Sequence, residues 1–229
     1  MDTGRTLRRP IVALAAAVVL LTVGTVLLVA PAPQGSVPAA SGQTHAVSLD
    51  PAVAGTAGRD DLDAALRTMT VDDRGVARGP MRWETDTVGV HVAGHTGPDA
   101  IAGIDEVLSW LTGTTGVHFH RTADADTAGI HVQLEIGVAP HAILHPDGSR
   151  LRRVDATWDP THRWAARWQW EELLHAAGPY GDWGPDGAII SKDQTAVAPS
   201  DFDSWILKAL YQADPLDTST ITGTLRRLQ

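Results

Sequence analysis

WQWEELLHAAGPYGDW, residues 168–183, sets Glu171, Glu172, His175 and Asp182 among apolar and aromatic residues. If this run is helical, Glu171 and His175 stand four apart, so both side chains leave one face and a single ion can touch both. Glu172 then lies about 100° further round the axis. Gly178-Pro179 gives the helix a sharp exit, because Gly tolerates left-handed backbone and Pro cannot continue the hydrogen-bond ladder. Upstream, Asp159 as a cap and Pro160 at the first helical position predict a helix over 161–177.

The surrounding pattern predicts the architecture. Val88, Val90 and Val92 alternate with Gly89 and His91, the mark of a half-buried strand. Gly97-Pro98-Asp99 opens a helix carrying Ile101, Ile104, Leu108 and Leu111 on one face, with Gly113 as its stop. Val117–His120 and the alternation of Ile130, Val132, Leu134 and Ile136 predict two further strands. Pro146-Asp147-Gly148 marks a hairpin tip leading into a strand with Val154, Ala156 and Trp158. A last helix starts at Ser200, where Asp203 offers a capping-box partner and Phe202, Trp205, Ile206, Ala209 and Leu210 form the buried stripe. Strands, one interposed helix and two closing helices make an α+β fold, with one mixed sheet packed against two or three helices.

Composition narrows the chemistry. The 229-residue chain carries a formal net charge of −9, which excludes a nucleic-acid binder relying on a basic surface. Cysteine is absent, which removes disulfides, thiolate metal sites and a thiol nucleophile. Any metal must therefore be held by His and carboxylates. Ser191 lacks a G-x-S-x-G elbow, so serine hydrolysis finds no support.

The amino terminus reads as a membrane address. Arg5, Arg8 and Arg9 form a cytoplasmic basic segment over 1–10, and the uncharged run 11–30 would span roughly 30 Å as a helix, the thickness of a bilayer core. A cleaved signal peptide ending near Ala30-Pro31-Ala32 is the alternative; both place the rest of the chain outside the cytoplasmic membrane. Residues 31–58 form a Pro/Ala/Gly-rich spacer. Residues 59–80 hold a short amphipathic helix, with Leu62, Ala65, Leu66 and Met69 on one side, and a connector. The globular domain is expected over 81–215 and a tail over 216–229.

The run EELLHAAGPYGD resembles a degenerate metzincin signature. Spacing matches the zincin helix H-E-x-x-H, with Glu171 in place of the first His, and Gly178 falls where the longer motif turns the chain back toward the metal. The third-ligand position holds Gly181, which has no side chain to offer, and Asp182 follows it. SDFDSWILKALY, residues 200–211, resembles the closing helix of matrixin-type domains. The nearest likeness is to an uncharacterised bacterial family of zincin-like extracytoplasmic proteins whose helix reads E-E-x-x-Q-x-x-G followed by Asn-Asp. The resemblance spans about 83 to 211, and it departs from metzincins again at 187–191, where their turn methionine is missing.

This resemblance implies a zincin-like domain behind a single transmembrane helix, with zinc held by Glu171, His175 and Asp182, Glu172 as general base and Gly178 as the structural turn. Manganese or calcium gains on zinc as oxygen replaces nitrogen among the donors. The implied activity is a metallopeptidase acting on a peptide or protein of the cell envelope. The alternative is an inactive member of the fold that binds an envelope protein or glycan, and Glu171 with His175 would then be an ordinary i, i+4 pair. His141 and His145, between Pro140 and Pro146, are expected in a loop or solvated hairpin, with an approach to the groove as substrate or metal contacts as the alternative. Trp164, Trp168, Trp170 and Trp183 read mostly as core, with a substrate platform as the alternative.

Overall fold

The computed structural model describes residues 59–72 and 74–229. The expected basic segment, anchor and spacer (1–58) lie outside them. Among the described residues no helix is long and apolar enough to cross a membrane. The elements run α1 (Arg59–Thr70), β1 (Thr87–Gly94), α2 (Pro98–Thr115), β2 (His118–Arg121), β3 (Ile130–Leu134), β4 (His141–Asp147), β5 (Arg150–Trp158), α3 (Ala165–Ala176), α4 (Asp201–Gln212) and α5 (Thr218–Arg227). This is the mixed α+β fold expected.

One five-stranded sheet has the order β2-β1-β3-β5-β4. The first four strands are mutually parallel, and β4 closes the sheet as an antiparallel edge paired with β5. Period-two alternation sends Val88, Val90, Phe119, Ile130, Val132, Leu134, Val154, Ala156 and Trp158 into the core. The opposite phase of the strands carries Gly89, His91, His118, His120, His131 and Asp155. Both α2 and α3 pack on the sheet, and α3 also lies against α2.

Several local expectations give way to tertiary structure. The helix opened by Gly97-Pro98 runs past Gly113 and ends at Gly116, which adopts φ 80° and returns its N–H to the Thr112 carbonyl. Ile136 falls beyond β3 and is exposed. Helix α3 starts later than the cap signal, at Ala165, behind an uncapped Trp164. Asp159 is spent elsewhere, accepting from the Gly137 and Thr161 N–H groups at 2.8 Å and from Thr161 Oγ1 at 2.7 Å. Of the two expectations for His141 and His145 the hairpin holds: the segment pairs antiparallel along β5 as a largely exposed edge arm, with Pro146 at a bulge. The stretch 216–229, read as a tail, contains α5 (Thr218–Arg227): Asp217 accepts from Thr220 N–H, and Ile221, Thr224 and Leu225 are buried.

Only Trp170 of the four tryptophans near α3 is core, edge-on to Trp110 at 5.7 Å. Trp168 stacks on His162 at 4.2 Å, Trp164 is exposed, and Trp183 lies between the Arg67 guanidinium and the Lys192 ammonium at 4.3 and 3.8 Å.

Asp203 ties the closing helix to the rest. It completes the capping box with Ser200 and, fully buried, also accepts from the Ile189 N–H at 3.0 Å and the Ile190 N–H at 3.4 Å. Asp203→Ala removes a cap and strands two buried donors, so urea denaturation should show a loss of about 3 kcal/mol. A change under about 0.5 kcal/mol would contradict this role.

Candidate metal centre

Helix α3 is buried on nearly every side, including its ionisable residues: Arg167, Glu171, Glu172 and His175 are each at most 9% exposed. Such groups remain in a protein interior only when hydrogen bonds and opposite charges compensate for lost water. Arg167, one turn before Glu171, donates to the carbonyls of Ala196, Ile189 and Ser191 at 3.0, 2.8 and 3.2 Å, and its guanidinium lies 3.4 Å from Glu171 Oε1.

The helix end is clasped from two directions. Trp83 donates its indole N–H to the Ala176 carbonyl at 2.8 Å, and the Tyr211 hydroxyl donates to the Ala177 carbonyl at 2.7 Å. Gly178 then turns the chain with φ 131°, and a Cβ there would lie 2.4 Å from the Met81 carbonyl oxygen. From that turn the chain runs back alongside α1, where the Thr68 carbonyl accepts both the Tyr180 and Gly181 N–H groups at 3.2 Å. Asp182 is thereby brought opposite His175.

The donors of Glu171, His175 and Asp182 converge: one ligand atom of each lies within 4.8 Å of the other two. Ligands at 2.0–2.2 Å from a common ion stand up to about 4.4 Å apart, so a small side-chain adjustment closes the set. The Pro179 carbonyl, which can only accept, lies 2.9 Å from His175 Nδ1 and therefore fixes the proton on that nitrogen. Nε2 is left facing Asp182 Oδ1 at 3.3 Å, as a metal-binding imidazole held by an outer carbonyl would be.

Electrostatics fit the same picture. Burial alone would keep His175 neutral, but its hydrogen bond to Asp182, the charges of Asp182 and Glu172 and the Pro179 contact outweigh burial and push its pKa up to about 10. Burial likewise opposes ionisation of Asp182, yet His175, Arg167 and Lys192 hold its carboxyl below the usual range. In the metal-free state a proton on Nε2 thus occupies the place an ion would take.

The site opens into a cleft of about 280 Å³ lined by Glu171, Glu172, His175, Tyr180, Asp182 and Gln194 on one side and by Pro140, His141, Ala142 and Leu144 of the β4 edge on the other. Glu172, Glu171, His175 and Asp182 therefore share one cleft, with Gly178 at its structural turn. Sequence reasoning missed Arg167, Tyr180, Gln194 and the support from α1; of the β4 wall it had anticipated only His141, which does line the cleft. A buried arginine at i−4 to Glu171 was a readable signal for the first; the others depend on contacts distant in sequence.

No family model matches the chain, and no curated protein does. Solved structures similar to it include myroilysin, at 16% identity over 44% of this chain and 52% of that one, TM-score 0.35, and again in a second structure at 16% over 54% and 56%, TM-score 0.33. High choriolytic enzyme 1, a hatching enzyme zinc-protease from Oryzias latipes (medaka fish), is similar at 13% identity over 44% of this chain and 50% of that one, TM-score 0.34. The chain spans about half the length of these structures.

Two outcomes follow from this geometry. His175 has a raised pKa, so its protonated form stabilises the metal-free fold fully below about pH 6.5, and that contribution is lost as pH rises through about 10. The Tm of metal-free protein should fall across this window, and Asp182→Asn should flatten the fall; an equal slope in both would contradict the pairing. Gly178→Ala meets both the Met81 carbonyl and a left-handed backbone, so it should cost about 3 kcal/mol in a denaturant titration.

Proposed function

We propose that this chain is a membrane-anchored, extracytoplasmic metallopeptidase-like protein of zincin architecture, acting on a peptide or protein of the cell envelope. The observation that carries the proposal is the convergence of Glu171, His175 and Asp182 inside one cleft. The donor set suits a divalent cation: one imidazole with its tautomer fixed from behind, and two carboxylates. When bound, such an ion supplies Lewis-acid polarisation of a carbonyl. Glu172, buried in the cleft floor, takes a proton from the attacking water and passes it to the leaving amine.

The β4 edge provides the other half. An edge strand presents unpaired backbone groups, and an extended peptide can add alongside it as a further strand, with its scissile bond over α3. Two carboxylates offset the charge of a divalent ion more than neutral imidazoles would, so turnover is slow or confined to a restricted substrate, and manganese or calcium competes with zinc. Residues 11–30 hold the domain at the outer membrane face, unless this segment is cleaved and the protein released.

The second reading is a non-catalytic binding module for an envelope protein or glycan. The Arg167 guanidinium beside Glu171 favours it, since a fixed cation already offsets part of the negative charge an ion would need.

Elemental analysis of the full chain purified in detergent should find bound metal in the wild type and little in His175→Ala. Glu172→Gln should keep the metal while peptide hydrolysis falls by about 100-fold or more. Negligible metal in both wild type and His175→Ala would defeat the proposal. Partner binding that survives chelation and Glu172→Gln would favour the binding module.

A further inference from the structure

Most described histidines are engaged by neighbouring elements, and His91 of β1 is half-buried beside His131, with their ring centroids 6.4 Å apart. His95, His131, His141 and His145 are committed to hydrogen bonds with the Leu134, Ala128 and Ala139 carbonyls and the Asp155 carboxylate. His162 accepts from the Trp164 N–H, and His175 belongs to the buried centre. His118 and His120 are both exposed, and their rings stack on each other. They project from β2, an edge strand, on the phase opposite the buried Phe119. Their rings are 5.1 Å apart between centroids and inclined by only 9°.

From these observations we infer that His118 and His120 form a second, surface metal site, a bidentate chelate for a borderline divalent cation such as zinc, nickel or copper. Residues i and i+2 of a strand stand on one face about 6.6 Å apart, a span two imidazoles bridge to one ion by rotating about their side-chain torsions. Both nitrogens must approach within about 2.1 Å of the ion, hence within about 4.2 Å of each other, and rings already held face to face reach this without moving the backbone. Imidazole selects this class of cation over calcium or magnesium.

The surroundings leave room for the ion and its remaining ligands. A hollow of about 430 Å³ runs along the outer side of β2, lined by the two histidines with Ser109, Thr112 and Asp105. Arg121 holds both oxygens of Asp105, at 2.5 and 3.0 Å, so that carboxylate is engaged and the chelate rests on the two imidazoles. Across the strand pair, Gly89 lies opposite His120 and contributes no side chain to crowd it. A tetrahedral ion held by two protein nitrogens keeps two positions for water. This site differs in kind from the buried one, being nitrogen-only, exposed and open.

Zinc titration calorimetry on the full chain in detergent, carrying His175→Ala to disable the buried centre, tests the inference. That variant should bind roughly one zinc equivalent at micromolar affinity. Adding His118→Ala should weaken binding by about tenfold or more, because a chelate becomes a single ligand, and adding His120→Ala as well should abolish it. Both side chains are exposed, so far-ultraviolet circular dichroism and Tm should not change. An absent zinc equivalent in the His175→Ala background, or one that persists without His118 and His120, would overturn the assignment. Copper bound to the His175→Ala chain should show electron paramagnetic resonance splitting from two nitrogens; splitting unaffected by His118→Ala would also overturn it.

Discussion

Ionised groups taken out of water must find compensation nearby, and α3 buries Arg167, Glu171, Glu172 and His175 within a few turns. For Arg167 and His175 the compensation comes from chain that follows the helix. The return segment after Gly178 supplies it, with the carbonyls of Ile189, Ser191 and Ala196 surrounding the guanidinium and the Pro179 carbonyl and Asp182 facing the imidazole. The path of this segment is thus dictated by the charges beneath it. Gly178 makes the first reversal possible, and the Thr68 carbonyl of α1 pins the strand of chain that carries Asp182.

This arrangement links the metal-free state to the chemistry proposed for the cleft. With Nδ1 committed to Pro179, only Nε2 can exchange one positive partner for another, a proton or a metal ion. The raised pKa of His175 has its cause in Asp182 and Glu172, whose negative charge outweighs burial and favours positive charge at that spot. Metal uptake near neutral pH should therefore displace about one proton. Arg167 works in the opposite sense, drawing on Glu171 from behind, and it also fastens the 189–196 loop through the Ile189, Ser191 and Ala196 carbonyls.

Much of the fold and the heart of the site were legible because local rules sufficed. Helical spacing placed Glu171 and His175 on one face, alternation found the four parallel strands, and Ser200 with Asp203 marked the closing helix. What escaped depended on distant partners. For His141–Asp147, bracketed by prolines, loop and hairpin stood open, and the choice of hairpin comes from the backbone ladder β5 offers. The threonine-rich α5 has weak intrinsic propensity, yet Ile221 and Leu225 find a buried seat and the Trp205 indole donates to the Leu225 carbonyl. Asp159 looked like a helix cap but is recruited by the turn that joins β5 to α3. The supporting role of α1 had no local signature, since the Thr68 carbonyl and the Arg67 guanidinium act on Tyr180, Gly181 and Trp183, more than a hundred residues away.

The central claim is that three side chains converge upon one cation, and cobalt reports on this directly through its visible absorption. Titration of the full chain with cobalt should saturate near one tightly bound equivalent, with the intense bands of a low-coordinate oxygen- and nitrogen-ligated ion that vanish in His175→Ala. A featureless titration, or bands equally strong without His175, would contradict it.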